Sequence, residues 1–85
     1  MMADNDETMA EIRAVVAKTL NVPLAAVGPT TGPQTLSQWD SFAHVHLMVA
    51  IEDHYKIELD PEEIATMISV AEIARALARK GVVAR

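Results

Sequence analysis

The sequence predicts an all-α protein: a four-helix bundle with a long loop between helices one and two and a short third helix. Three observations point there. Apolar residues recur at intervals of three and four in separate segments, no segment alternates convincingly between apolar and polar residues, and each periodic segment is bracketed by residues that start or stop helices. With 85 residues, 51% of them hydrophobic and 22% charged, the chain has room for one small domain, residues 1–85, built on a single core.

The first helix is predicted from about Asn5 to Leu20, where Met9, Ile12, Val16 and Leu20 mark one face. Asp4 followed by Glu7 has the form of a capping box, and Asn21 with Pro23 forms the stop. The ends, residues 1–4 and 82–85, are expected to fray. From Asn21 to Trp39, Pro23, Gly28, Pro29, Gly32 and Pro33 interrupt any periodicity and predict a loop, pinned to the core by Leu24, Val27, Leu36 and Trp39. Loops longer than about 12–15 residues are uncommon inside compact domains and tend to serve a function. Trp39 either packs this loop against the bundle or faces partners.

The second helix is predicted from Ser41 to Tyr55 with Asp40 as N-cap. It carries two apolar stripes: Leu47, Met48, Ile51 and Tyr55, which suit a core, and Phe42, Val45 and Val49 on an adjacent face. In "LDPEEIATMI", Asp60 is the N-cap of a short third helix, Pro61 takes the first helical position and Glu63 completes a capping box. "SVAEIARALARKG" repeats the grammar, with Ser69 as N-cap, Glu72 in the first turn, Arg79 and Lys80 in the last turn and Gly81 as the stop. Met48 and Met67 read as core fillers.

Composition excludes several functions. Without cysteine the chain has no disulfide, no thiolate metal site and no thiol nucleophile, so any sulfur chemistry must be imported. A net charge of −5 and the lack of a basic stripe argue against nucleic acid and favour partners with basic docking surfaces, unless the acidic balance only serves solubility. No apolar run approaches the roughly 20 residues of a membrane span, and the start lacks the pattern of a signal peptide. A cytoplasmic monomer is the expectation. His44 and His46 are two apart on a helix and point in different directions, and with His54 they make no ligand set for a metal. Ser41 and His44 are close enough to touch, yet a hydrolase also needs an orienting acid and an oxyanion pocket. Ser41 itself sits in a first helical turn, where unpaired amides favour a phosphate ester, and a carboxylate such as Asp40 beside it can help an incoming enzyme hold magnesium.

"WDSF", the helix "AHVHLMVAIEDHY", and then "IELDPEEI" and "SVAEIARAL" together resemble the acyl carrier protein family, including its peptidyl carrier relatives, over about Met9 to Lys80. The specific part is the Asp-Ser-Leu signature at the start of the second helix, here Asp40, Ser41 and Phe42, set within the spacing of the four helices. The resemblance implies that Ser41 receives 4′-phosphopantetheine from coenzyme A through a magnesium-dependent phosphopantetheinyl transferase. The arm ends in a thiol that carries acyl groups as thioesters, which explains thioester chemistry in a chain without cysteine. It also implies a non-catalytic carrier, served by an acyl-activating ligase and by acyl-transferring or condensing enzymes.

By the same resemblance, Phe42, Val45 and Val49 contact partners, with His44, His46, Glu52, Asp53 and Met67 around them. Phe42 and Val49 are therefore expected to be more exposed than their hydrophobicity suggests. The space between helices two and three, lined by Ile64 and Met67, offers room for an acyl chain. Phe42 replaces the family's Leu, and Ala43, His44 and His46 stand where carriers of fatty-acid synthesis tend to have acids, with Glu52 and Asp53 arriving only near the helix end. Those departures lean toward a specialised biosynthetic pathway. The alternatives are an unmodified helical adaptor that binds through the Phe42, Val45 and Val49 stripe, and an aminoacyl or peptidyl carrier.

Overall fold

A computed structural model describes residues 2–82 of the chain, with side chains from residue 7 onward. Among these residues the chain forms α1 (Met2–Leu20), a 3-10 turn (Leu24–Ala26), α2 (Ser41–Tyr55), α3 (Pro61–Thr66) and α4 (Val70–Arg79). Helix α1 packs against both α2 and α4, and α3 leans on α4. None of the described helices is long and apolar enough to cross a membrane.

The caps read from the sequence place three of the helix starts. The Asp40 carboxylate accepts from the amide of Ala43 at 2.9 Å, Ser69 Oγ accepts from the amide of Glu72 at 3.1 Å, and the Asp60 amide donates to Glu63 Oε1 at 2.8 Å. That last hydrogen bond, reinforced by Lys80 at 3.2 Å, holds the Glu63 carboxyl below its usual range and ties the end of α4 to α3. Helix α1 starts earlier than expected, at Met2, so Asp4 lies inside the helix instead of capping it; its side chain falls outside the described residues. Residues 2–4 continue α1 and Val82 packs against the core, while residues 1 and 83–85 lie outside the described set.

The ends of α1, α2 and α4 share one geometry. Asn21 (φ 59°), Lys56 (φ 57°) and Gly81 (φ 77°) are left-handed, and the amides of Val22, Ile57 and Val82 reach back to the carbonyls of Ala17, Glu52 and Leu77 at 2.9–3.1 Å. At Lys56 an ordinary L-residue occupies a conformation that costs it about 1–2 kcal/mol relative to the right-handed one. Lys56→Gly should therefore raise stability by about 0.5–1 kcal/mol once glycine's extra chain entropy is deducted, read as a higher urea midpoint at unchanged slope.

Ile12, Val16, Leu47, Ile51, Met67, Val70, Ile73 and Leu77 are fully buried and fill the space between the helices. The long loop is held by Val27 and Trp39, both also buried, whereas Leu24, expected as a pin, is 50% exposed. The 3-10 turn that carries Leu24 turns it outward, and Arg13 of α1 anchors the turn instead, donating to the carbonyls of Val27 and Leu24. Further along, the loop carbonyls of Thr31 and Pro29 accept the first-turn amides of α4, Val70 and Ala71, at 3.0 and 2.9 Å. Gly32 makes that approach possible, since a Cβ there would sit 2.2 Å from the carbonyl oxygen of Ile68. Gly32→Ala should destabilise the protein by about 1–3 kcal/mol, a fall in Tm of about 4–8 °C per kcal/mol in a domain of this size.

Tyr55 joins α2 to α1 from the other end, its hydroxyl donating to Glu11 Oε1 at 2.9 Å. Burial, and then the hydrogen bond and charge of Glu11, push the phenol well above its ordinary pKa.

Candidate functional site

Ser41 is exposed in the first residue of α2, directly after the Asp40 cap. Asp40 uses Oδ1 to hold the Ala43 amide, which fixes the start of the helix, and the residue is exposed. The peptide dipoles of α2 converge here as partial positive charge. Beside Ser41 lies a cavity of about 470 Å³, walled by Pro33 and Ser37 of the loop, by Trp39, Asp40, Ser41 and His44, and by Ala65 and Ile68 at the end of α3. An exposed hydroxyl at a dipole-positive helix start, opening onto a partly apolar cavity, suits a phosphate ester with a flexible organic tail.

Trp39 and His44 make the back of this cavity rigid. The indole Nε1–H of Trp39 donates to His44 Nδ1 at 2.9 Å, and His44 Nε2 lies 3.0 Å from the carbonyl oxygen of Ile64. An indole only donates, so Nδ1 must be the acceptor, the ring proton sits on Nε2, and that proton points at the Ile64 carbonyl. The two rings also stack, 24° from parallel. With both nitrogens engaged, His44 has none to offer Ser41, and the pair lacks the base of a hydrolytic site.

The residues expected to face partners divide. Phe42, Val45 and Val49 are 75%, 60% and 56% exposed, and His46 is exposed beside them with its ring edge-on to Phe42 at 4.7 Å. His44 turns inward, as described. Glu52 is half-buried and its Oε2 accepts the Leu59 amide at 2.8 Å, which braces the turn between α2 and α3. Asp53 faces the groove against α1, with Val15, Lys18 and His54. Met67 is fully buried, a core filler and not a partner contact. The expected room between α2 and α3 is present at the start of α2, but Ala65 and Ile68 line it in place of Ile64, whose carbonyl faces His44, and of Met67, which is buried.

Sequence reasoning missed the bridge from Trp39 through His44 to Ile64. The signal was present as an indole donor one residue before the N-cap and an imidazole in the following turn, five residues on. It also missed Ile68, 49% exposed at the cavity rim, and the close approach at Gly32. Among the described residues no three His, Cys, Asp or Glu side chains are grouped to hold a metal ion.

Comparison with known proteins converges on one group. Residues 10–77 match the family described as "Phosphopantetheine attachment site". The chain is 32% identical over 77 residues to an acyl carrier protein of Streptomyces coelicolor, covering 89% of this chain and 84% of that one. Its fold is similar to the solution structure of a holo acyl carrier protein from Geobacter metallireducens, with a TM-score of 0.72, 26% identity, and coverage of 86% and 88% of the two chains.

Proposed function

The chain belongs to the acyl carrier protein family, non-catalytic carriers with a covalent 4′-phosphopantetheine, and from that premise we propose that Ser41 is its attachment residue. The supporting observation is the exposed Ser41 hydroxyl at the start of α2, beside an open cavity and capped by Asp40. During modification Ser41 Oγ attacks the phosphorus of coenzyme A that bears the pantetheine. The bond to the departing adenosine bisphosphate breaks as the new ester forms, and the hydroxyl proton passes to a base of the transferase. Asp40 keeps the helix start open to this attack and offers its second oxygen to the magnesium ion that the transferase brings. Once in place the group supplies a terminal thiol, on which acyl cargo rides as a thioester.

The partners follow in outline: a phosphopantetheinyl transferase, an acyl-activating ligase, and acyl-transferring or condensing enzymes. Phe42, Val45, His46 and Val49 form the face they meet. The absence of any acidic residue from Ser41 to Ala50 supports a specialised pathway over housekeeping fatty-acid synthesis, because such a face gives no charge pattern for a strongly basic partner to read. Incubation with coenzyme A, magnesium and a broad-specificity transferase, followed by intact mass and peptide mapping, tests the assignment. One phosphopantetheine increment on the peptide bearing Ser41 is expected; a chain that stays unmodified throughout is instead the small helical adaptor.

A further inference from the structure

The bridge between Trp39, His44 and Ile64 crosses the seam between α2 and α3 behind the cavity beside Ser41, between that cavity and the core. It joins the residue before the N-cap, the first turn of α2 and the backbone of α3. Trp39 is 1% exposed, so water cannot replace the indole's partner if the bridge opens. Breaking it strands the buried indole N–H, while the Ile64 carbonyl keeps the Met67 amide as a donor at 3.2 Å, and the burial of a few methylenes would be needed to offset that cost. Leu47 and Ile51 of α2 and Met67 at the end of α3 are 0% exposed, and none of them lines the cavity beside Ser41. The cavity is walled instead by Ser37, Trp39, Ala65 and Ile68, a mixture of polar and apolar surface.

Resting on the attachment at Ser41, we infer that this carrier keeps its cargo outside the core, along the Trp39, Ala65 and Ile68 wall, with His44 as the positioning residue that holds the seam shut. The cargo class this geometry serves is a short or polar acyl group. A long alkyl chain gains nothing from the closed interior and stays in contact with water.

The experiment loads the intact chain with butyryl or dodecanoyl phosphopantetheine from the corresponding acyl coenzyme A. Intact mass comes first: no increment means that the attachment reading has failed, separately from this inference. Methyl NMR of Leu47, Ile51 and Met67, the indole N–H resonance of the chain's one Trp and the Tm are then compared between the two cargoes. Core methyl positions and Tm are expected to be the same for both, with shifts confined to Ala65 and Ile68. Core methyl shifts and a Tm that grow with chain length in the wild type would overturn the inference. His44→Gln, whose amide both accepts and donates, is expected to keep the indole resonance and the indifference to chain length. His44→Ala is expected to move that resonance and to let dodecanoyl, but not butyryl, shift the core methyls. If the alanine variant folds and remains indifferent to chain length, His44 is not the closure. Should it fail to fold, the glutamine variant decides: loss of the indole signature with indifference intact rejects the same role.

Discussion

Offered coenzyme A, magnesium and a phosphopantetheinyl transferase, Ser41→Ala should gain no mass at all, while the wild-type chain gains one phosphopantetheine. The expected effect is complete loss, because the substitution removes the oxygen that forms the ester. The control matters as much. Ser41 is exposed and the Asp40 cap is untouched, so the variant should fold within about 0.5 kcal/mol of the wild type, with alanine if anything the better helix former. Ser37 lines the same cavity and is the hydroxyl with which Ser41 is most easily confused. Residual modification in the variant, mapped to Ser37, would move the site into the loop. Ser37 lacks what Ser41 has, a place at a capped helix start where the amide dipoles favour a phosphate.

Much of this was legible before any coordinates, for reasons that are local. Asp40 and Ser69 each mark a helix start by accepting an amide three residues on, and Asp60 by donating its own amide to the Glu63 carboxylate, and short-range chemistry of that kind is written in short stretches of sequence. The stripe of Phe42, Val45 and Val49 was legible because the helical period alone puts it on a different side from Leu47, Met48 and Ile51.

Other features depend on what lies across from a residue. Periodicity puts His44 in line with the core stripe of Leu47, Met48 and Ile51, but only the approach of Trp39 from the loop and Ile64 from α3 decides what its ring nitrogens bond to. Glu52 shares the sense of the partner stripe by spacing, and its long side chain nevertheless reaches the Leu59 amide beyond the helix end. At the start of α1 the Asp4 and Glu7 pattern misled because a capping-box spacing is equally compatible with a helix that runs on through it. Lys56 carries no hint of its left-handed backbone, since lysine is not a residue that favours that conformation.

The second large effect is expected at Phe42. Phe42→Asp should lower kcat/KM for both phosphopantetheine transfer and acyl loading by about 30-fold or more, the penalty of losing a central aromatic anchor worth about 2 kcal/mol. Phe42 is 75% exposed in the free protein, so its surface is available to a partner and its removal leaves no hole in the core. The replacement is also benign for the helix, because a carboxylate in the first turn of α2 opposes the dipole's positive end and favours it. Stability and partner reactions are thus expected to separate, with Tm nearly unchanged and turnover sharply reduced. The loss should persist at raised salt, since the Ser41–Ala50 stretch of the face carries no acidic residue whose attraction salt would screen. Val45→Asp should behave in the same way, one turn further along the stripe. A collapse of the cooperative thermal transition in both variants would assign the stripe to the core, and an unchanged kcat/KM in a folded variant would place the docking face elsewhere on the bundle.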